Sequence, residues 1–279
     1  MPNSLSRHPR LAALALVTPA LAMVALFFLL PLLASVVGAF ETPEGPGLAN
    51  FSKAFALYSR DMLFTLAIIG GATLLTGLGA VAIAGYLTLG ECPLAVAALR
   101  WLYRWPLFIP FIVVGQIARS FLAKNGLMNN ALIGAGLLDP LSATGMLDWR
   151  GLILAFAWKQ IPFVALLVAG AMASLDRGGI EAARNLGASR PRILWEILLP
   201  QVAPSLLTAL ILSFVTMMSV LSVPLMVASQ SPTLLTVDIA FRINAYRDYG
   251  LANALGMISL AISATVAWFY LRHSLREKR

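Results

Sequence analysis

The 279-residue chain is short of charge: Asp, Glu, Lys and Arg make up 11% of it, and 12 of its side chains are acidic. A water-facing globular domain carries about 25% charged residues, so this composition excludes one. Cysteine occurs once, at Cys92, which excludes an intrachain disulfide. The two histidines, His8 and His273, both lie in terminal tails, so no Cys/His cluster with metal spacing exists. Also missing are a Gly-x4-Gly-Lys-Ser/Thr loop, a Gly-x-Ser-x-Gly elbow and a His-Glu-x-x-His helix. The chain is therefore not expected to bind a cofactor or metal or to act as an enzyme. Any energy it uses must come from a partner or a gradient.

What is present is apolar. Hydrophobic residues make up 59% of the chain and mean hydropathy is +0.84, which indicates an integral membrane protein. The net charge of +8 does not point to nucleic acid, because the basic residues fall at the ends of apolar runs and are not interleaved with aromatics. The runs predict an all-α fold of six transmembrane helices in one domain over residues 1–279, with spans at about 11–39, 62–89, 105–122, 151–172, 205–228 and 249–271. Arg7, His8 and Arg10 ahead of the first run imitate a signal peptide, and Ala20-Leu21-Ala22 imitates its cleavage site. The run continues to about Phe40, which is too long for a signal, so a retained span is expected.

Residues 40–61 read as a loop containing Pro43, Gly45, Pro46 and Gly47, with an amphipathic stretch around Phe51, Phe55 and Tyr58. The third span is interrupted by Pro106 and Pro110, and Asn125-Gly126 marks a turn into a short helix. Twelve basic residues fall in segments on the side of the termini and six on the other; Arg119 and Lys159, inside spans, complete the 20. That excess predicts cytoplasmic N and C termini.

The most polar interruption runs over residues 174–204. It reads as two short helices separated by a turn, with Gly187 ending the first in a left-handed conformation and Ser189 and Pro191 starting the second. Pro200 is expected to stop that second helix and Pro204 to sit in the first turn of the next. Ile193, Leu194, Ile197 and Leu198 share one apolar face that has to be buried. An interfacial helix without a partner is the alternative reading of the amphipathic pattern.

Glu181-Ala182-Ala183, then three residues, Gly187, nine residues and Ile197-Leu198-Leu199-Pro200 resemble the EAA loop of permease subunits of binding-protein-dependent, type I ABC importers. The resemblance implies a multi-pass protein of the bacterial cytoplasmic (inner) membrane whose loop forms cytoplasmic coupling helices. It also implies two ATPase subunits that use ATP and Mg, a second permease, more in keeping with a heterodimer than a homodimer, an external solute-binding protein and surrounding membrane lipid. Carried over residue by residue, the coupling positions are Glu181, Ala182, Ala183, Gly187, Ile197, Leu199 and Pro200; ordinary helix and cap chemistry is the alternative role of each. The long first span and Asn50-Phe51 look like the polyamine, ferric-iron and phosphonate group.

Lys159 and Gln160 lie in the middle of the fourth span, Lys159 roughly 13 Å along the helix from Arg150 at 1.5 Å per residue. A charge there costs on the order of 3 kcal/mol, so it needs a cavity or a partner. With Gln160 and Gln116 it is a candidate for the translocation pathway, biasing it against cations; snorkelling, or a carboxylate of another subunit, is the alternative. Ser213, Thr216, Ser219 and Ser222 recur every three residues along the fifth span, and this stripe reads as helix packing or as pathway, with Thr216 and Ser219 as the pathway candidates. The expected function is inward movement of a small polar solute. A gradient-driven secondary transporter is the competing reading, and it would place acidic residues at mid-depth, where these spans have none.

Overall fold

A computed structural model describes residues 9–228 and 230–276. Arg7, His8, Lys278 and Arg279, used above, lie outside the described residues. The chain is mostly helical: α1 (Pro9–Val24), α2 (Leu30–Phe40), α3 (Ala49–Leu89), α4 (Pro93–Leu102), α5 (Phe111–Leu122), α6 (Leu127–Gly134), α7 (Trp149–Ala173), α8 (Arg177–Asn185), α9 (Arg190–Ile193), α10 (Leu199–Ser219), α11 (Ser222–Val227), α12 (Leu235–Phe241) and α13 (Tyr249–Arg276). A two-residue antiparallel hairpin, β1 (Glu41–Thr42) and β2 (Gly45–Pro46), follows α2. Among the described residues, five helices are long and apolar enough to cross a membrane; a sixth span results if a pair bent by 108° is counted as one.

That bent pair corrects the third span. The helical path starts at Pro93, runs through a 3₁₀ turn at Trp105–Phe108 and breaks at Ile109 and Pro110, so residues 105–122 are not one straight helix. Proline at 110 supplies no N–H, and the extended Ile109 (φ −89°, ψ 119°) turns the chain aside. The loop expected over 40–61 is also corrected. No glycine or proline interrupts residues 49–62, and the amphipathic stretch is the first part of the 41-residue α3.

The fifth span differs most. α9, a π turn at Leu194–Leu198 and α10 form one helix over Arg190–Ser219, passing through Pro200 and Pro204 where a stop was expected. In a membrane helix, local π adjustments and nearby side chains satisfy the backbone groups that proline disturbs. Here Leu199 N–H bonds to Leu194 O within the widened turn, and Gln201 Nε2 donates to Ile197 O at 2.8 Å. The helix ends at Ser219, short of the expected 228, where Val220 turns extended and its carbonyl accepts from Thr236 Oγ1 at 3.1 Å.

By packing, the chain forms two compact units, 1–57 with 239–258, and 58–238 with 259–279. Their boundaries fall inside α3, α12 and α13, so no linker in the sequence marks them. In the smaller unit, Asn50 Nδ2 donates to the carbonyls of Ala39 (3.1 Å) and Glu41 (2.8 Å), which the end of α2 leaves without helical donors. Lys53 pairs with Asp248 at 3.2 Å, and Phe40 meets Phe51 at 5.0 Å.

The larger unit has two apolar clusters. One, including Ile69, Val114, Leu152, Phe156, Met217 and Val223, joins α3, α5, α7, α10 and α11. The other, including Ala80, Ala84, Val164, Val168, Ile193 and Leu198, joins α3, α7 and the start of the fifth span. Glycines of α3 permit the close approach: a Cβ on Gly79 would come within 2.7 Å of Ile161 Cδ1, and one on Gly85 within 2.8 Å of Leu194 Cδ2.

Candidate functional site

The segment after α7 is shaped by local hydrogen bonds. Ser174 Oγ closes α7 on Ala171 O at 2.8 Å, and the Asp176 carboxylate caps α8 by accepting from Gly178 N–H at 3.1 Å. α8 ends as its sequence requires. Gly187 takes φ +80°, its N–H bonds to Arg184 O (2.9 Å), and Ala188 N–H reaches back to Ala183 O (3.0 Å). This pair of bonds is the Schellman ending, which favours glycine at the left-handed position. The chain then enters α9 with Ser189 at the cap position and proline in the first turn.

Two faces result. Ile180 and Ala183 pack toward the second apolar cluster, whereas Glu181, Ala182, Arg184 and Leu186 are exposed, Leu186 at 89%. Ala182 and Leu186, four residues apart, share one side of the loop. Between α8 and the fifth span a cavity of about 300 Å³ is lined by Ala183, Leu186, Gly187, Arg192, Ile193 and Glu196, among others. Leu186 was not singled out by spacing; the signal available was an apolar side chain standing just before the left-handed glycine in a polar stretch.

The apolar face of the second helix packs within this chain. Ile193 and Leu198 are fully buried and Leu194, Ile197 and Leu199 partly so, all against this chain's own α3 and α7 cluster. That face needs no groove on another protein. Pro200 is exposed, Arg192 pairs with Glu196 at 2.9 Å, and Arg190 pairs with Glu91.

The five pathway candidates are not gathered into one site. Gln116 is exposed on α5 and reaches Ser120 Oγ at 3.5 Å. Thr216 and Ser219 are exposed on α10, their hydroxyls donating to Leu212 O (2.7 Å) and Thr216 O (2.8 Å) of their own helix. Ser213 of the same stripe is buried, since a three-residue step falls 60° short of a full turn. Gln160 is buried and donates to Ser213 O at 3.4 Å.

Lys159 is 9% exposed, and neither snorkels nor meets a carboxylate among the described residues. Its ammonium donates to Pro106 O (2.7 Å) and Leu107 O (3.1 Å) and lies 5.3 Å from the Phe111 ring centroid. The break in the third span explains both bonds. A helix would pair Pro106 O with the N–H of residue 110, which is proline, and Leu107 O with the N–H of Phe111, which Ile109 carries away. Pro106 O keeps a 3₁₀ bond from Ile109 N–H at 3.3 Å, which Lys159 supplements, and Leu107 O takes Lys159 as its donor in place of the lost helical amide.

A second buried polar set was not foreseen. Asp61 in α3 accepts from Thr233 N–H at 2.8 Å, Thr65 Oγ1 from Leu235 N–H at 3.0 Å, and Asp238 from Thr233 Oγ1 at 2.7 Å. Together these hold the segment ahead of α12 against α3. At the other end of the loop preceding α7, Asp148 caps that helix through Arg150 N–H at 2.9 Å and pairs with the Arg150 side chain at 2.8 Å. The Arg150 side chain's hydrogen bond holds the Asp148 carboxyl below its usual range.

This constellation, a spanning helical bundle with a capped helix–turn–helix loop between its fourth and fifth spans, is the architecture of a membrane permease. The model of the family described as binding-protein-dependent transport system inner membrane component matches residues 93–278. The chain belongs to that family: it is an inner-membrane permease subunit of a binding-protein-dependent ABC importer, of type I. It is 27% identical over 284 residues to the sulfoquinovosyl glycerol transport system permease protein SmoG of Agrobacterium fabrum, covering 94% of this chain and 90% of that one. The molybdenum transport system permease protein ModB of Escherichia coli is 32% identical over 109 residues, 39% of this chain and 45% of that one. A bacterial ABC transporter that imports the acidic polysaccharide alginate matches in structure with a TM-score of 0.81 over 99% of this chain and 98% of the other, at 21% identity, which establishes the fold alone. These relatives handle a sugar derivative and molybdenum, not the polyamine, iron or phosphonate expected from the first span.

Proposed function

We propose that the chain forms half of the translocation path for a polar, sugar-derived solute, handed over by an external binding protein and moved inward by alternating access. The observation carrying the substrate class is the extent of similarity: likeness to the sulfoquinovosyl glycerol permease runs along 94% of the chain, whereas likeness to the molybdenum permease covers 39% of it. A path is lined by helices from the whole membrane domain, so similarity along the full length bears on it more than similarity in one stretch.

The loop over residues 174–204 is then the contact with the ATPase. Glu181 offers a carboxylate, Ala182 and Ala183 allow close approach, Gly187 sets the angle between the helices, and Ile197, Leu199 and Pro200 tie the loop to the fifth span. The excess of basic residues on that side supports cytoplasmic termini. Two ATPase subunits hydrolyse ATP with Mg, this chain binds no cofactor, and a different permease completes the pair.

The test is affinity purification of the tagged chain from its native membrane in mild detergent, with mass spectrometry of what stays bound. A P-loop ATPase with a second permease and a binding protein is the expected set. Recovery of the folded chain alone, repeatedly, would favour a gradient-driven transporter. The thermal shift of the recovered binding protein then separates substrates: stabilisation by a sugar derivative is expected, and stabilisation by molybdate, sulfate, a polyamine or a phosphonate alone would overturn the assignment.

A further inference from the structure

Beside the coupling loop, a cavity of about 450 Å³ opens between the end of α3, α4, the end of α7 and α8. Arg100, Arg104, Arg177 and Arg184 line it, and among the described residues Glu181 is the one carboxylate in its wall. None of the four arginines has a carboxylate within 4.0 Å among the described residues. Arg184 reaches only Leu89 O at 3.4 Å, and Arg104 the Tyr103 hydroxyl at 3.2 Å. Four guanidinium groups converging with one opposing charge make a strong anion site, and guanidinium geometry suits two oxygens of a phosphate at once.

Leu87, Leu166 and Met172 give the cavity an apolar wall. Trp101 of α4 and Trp105 of the 3₁₀ turn that follows it are 60% and 55% exposed and meet edge-on at 4.6 Å. Paired indoles of this kind sit at headgroup level in a bilayer. A cavity with a basic rim and an apolar wall at that depth matches a phosphate carrying acyl chains better than a free phosphate, which would leave the apolar part unfilled.

We propose that this cavity binds the phosphate of an anionic phospholipid of the inner leaflet, next to the coupling loop. The site does not involve the transported solute, but its placement in the inner leaflet rests on the cytoplasmic coupling loop given above. Occupancy would place a lipid phosphate against α8, where it neutralises Arg177 and Arg184 at the base of the loop that carries Glu181.

The test uses the full chain, delipidated in a neutral detergent and followed by native mass spectrometry as phosphatidylglycerol or phosphatidylcholine of equal acyl length is added, with inorganic phosphate as a third ligand. Phosphatidylglycerol is expected to bind more tightly than phosphatidylcholine, and R100Q/R104Q is expected to weaken it about thirtyfold, from two basic groups near the surface. R119Q, outside the cavity, should leave it unchanged. If R100Q/R104Q does not fold, R177Q serves alone, and R100K/R104K tests whether charge or fork geometry matters. Inorganic phosphate bound with the same arginine dependence and unaided by acyl chains would identify a free-phosphate site in place of a lipid one and overturn the lipid assignment. Equal binding of the two lipids, or phosphatidylglycerol binding insensitive to the arginines, would overturn the site itself. A cavity filled by an acidic face of the ATPase would appear as lipid binding abolished in the assembled complex, and that outcome too would overturn the proposal.

Discussion

Replacing Lys159 by methionine separates its two possible roles. The substitution keeps an unbranched side chain one atom shorter and removes the ammonium that bonds Pro106 O at 2.7 Å and Leu107 O at 3.1 Å. Hydrogen bonds to a charged group contribute about 1.5–3 kcal/mol each; Leu107 O would lose its donor, while Pro106 O would keep the 3.3 Å bond from Ile109 N–H. Removing a buried charge returns on the order of 3 kcal/mol. The net expectation is a loss of about 2 kcal/mol. The loss should be concentrated at the break in the third span. Thermal unfolding in detergent reads the stability, and hydrogen exchange reads the amides of residues 105–112, which should exchange faster than in the unmodified chain while the amides of α10 stay unchanged. If stability and exchange are both unaltered and only uptake or solute selectivity changes, Lys159 faces the path and its role as a brace for the break is wrong.

Gly187→Val forces a β-branched residue to φ +80° and should cost about 1–3 kcal/mol locally, uncoupling ATP hydrolysis from uptake in reconstituted vesicles while the protein stays in the membrane. Gly187→Asn, which tolerates that conformation, should retain most coupling, and equal loss in both variants would mean that backbone shape is not the constraint. Asp148→Ala should lower stability by about 1 kcal/mol through the lost cap, while Asp148→Asn keeps the cap. Because the Asp148 carboxyl is held low by Arg150, its contribution is present above the unfolded-state range near 3.8 and lost as pH falls through its lower folded value, so a stability profile rising toward more acid pH at this site would contradict it. Asp61→Ala leaves Thr233 N–H without its acceptor and is expected to cost about 1–3 kcal/mol and to make residues 230–238 more sensitive to protease; unchanged proteolysis would show that the segment is held by packing alone.

The sequence by itself determined what depends on local chemistry. A low charge content and long apolar runs require a membrane, because a chain of that composition has too few charged groups for a water-facing surface. The Gly187 turn was legible because only a residue without a Cβ adopts the left-handed conformation freely, and the ending it produces involves residues 183–188 alone. The family resemblance rested on residues 181–200, which include that turn. Tertiary structure decided the rest, and in each case the deciding partner is distant in the chain. Lys159 meets carbonyls 53 and 52 residues earlier, and Asp61 meets an amide 172 residues later, so neither pairing has a spacing to read. Pro200 and Pro204 read locally as a stop and a start. Packing of Ile193 and Leu198 against α3 and α7 holds the helix together through both, since a membrane helix that loses a backbone bond can widen by one residue and keep its direction.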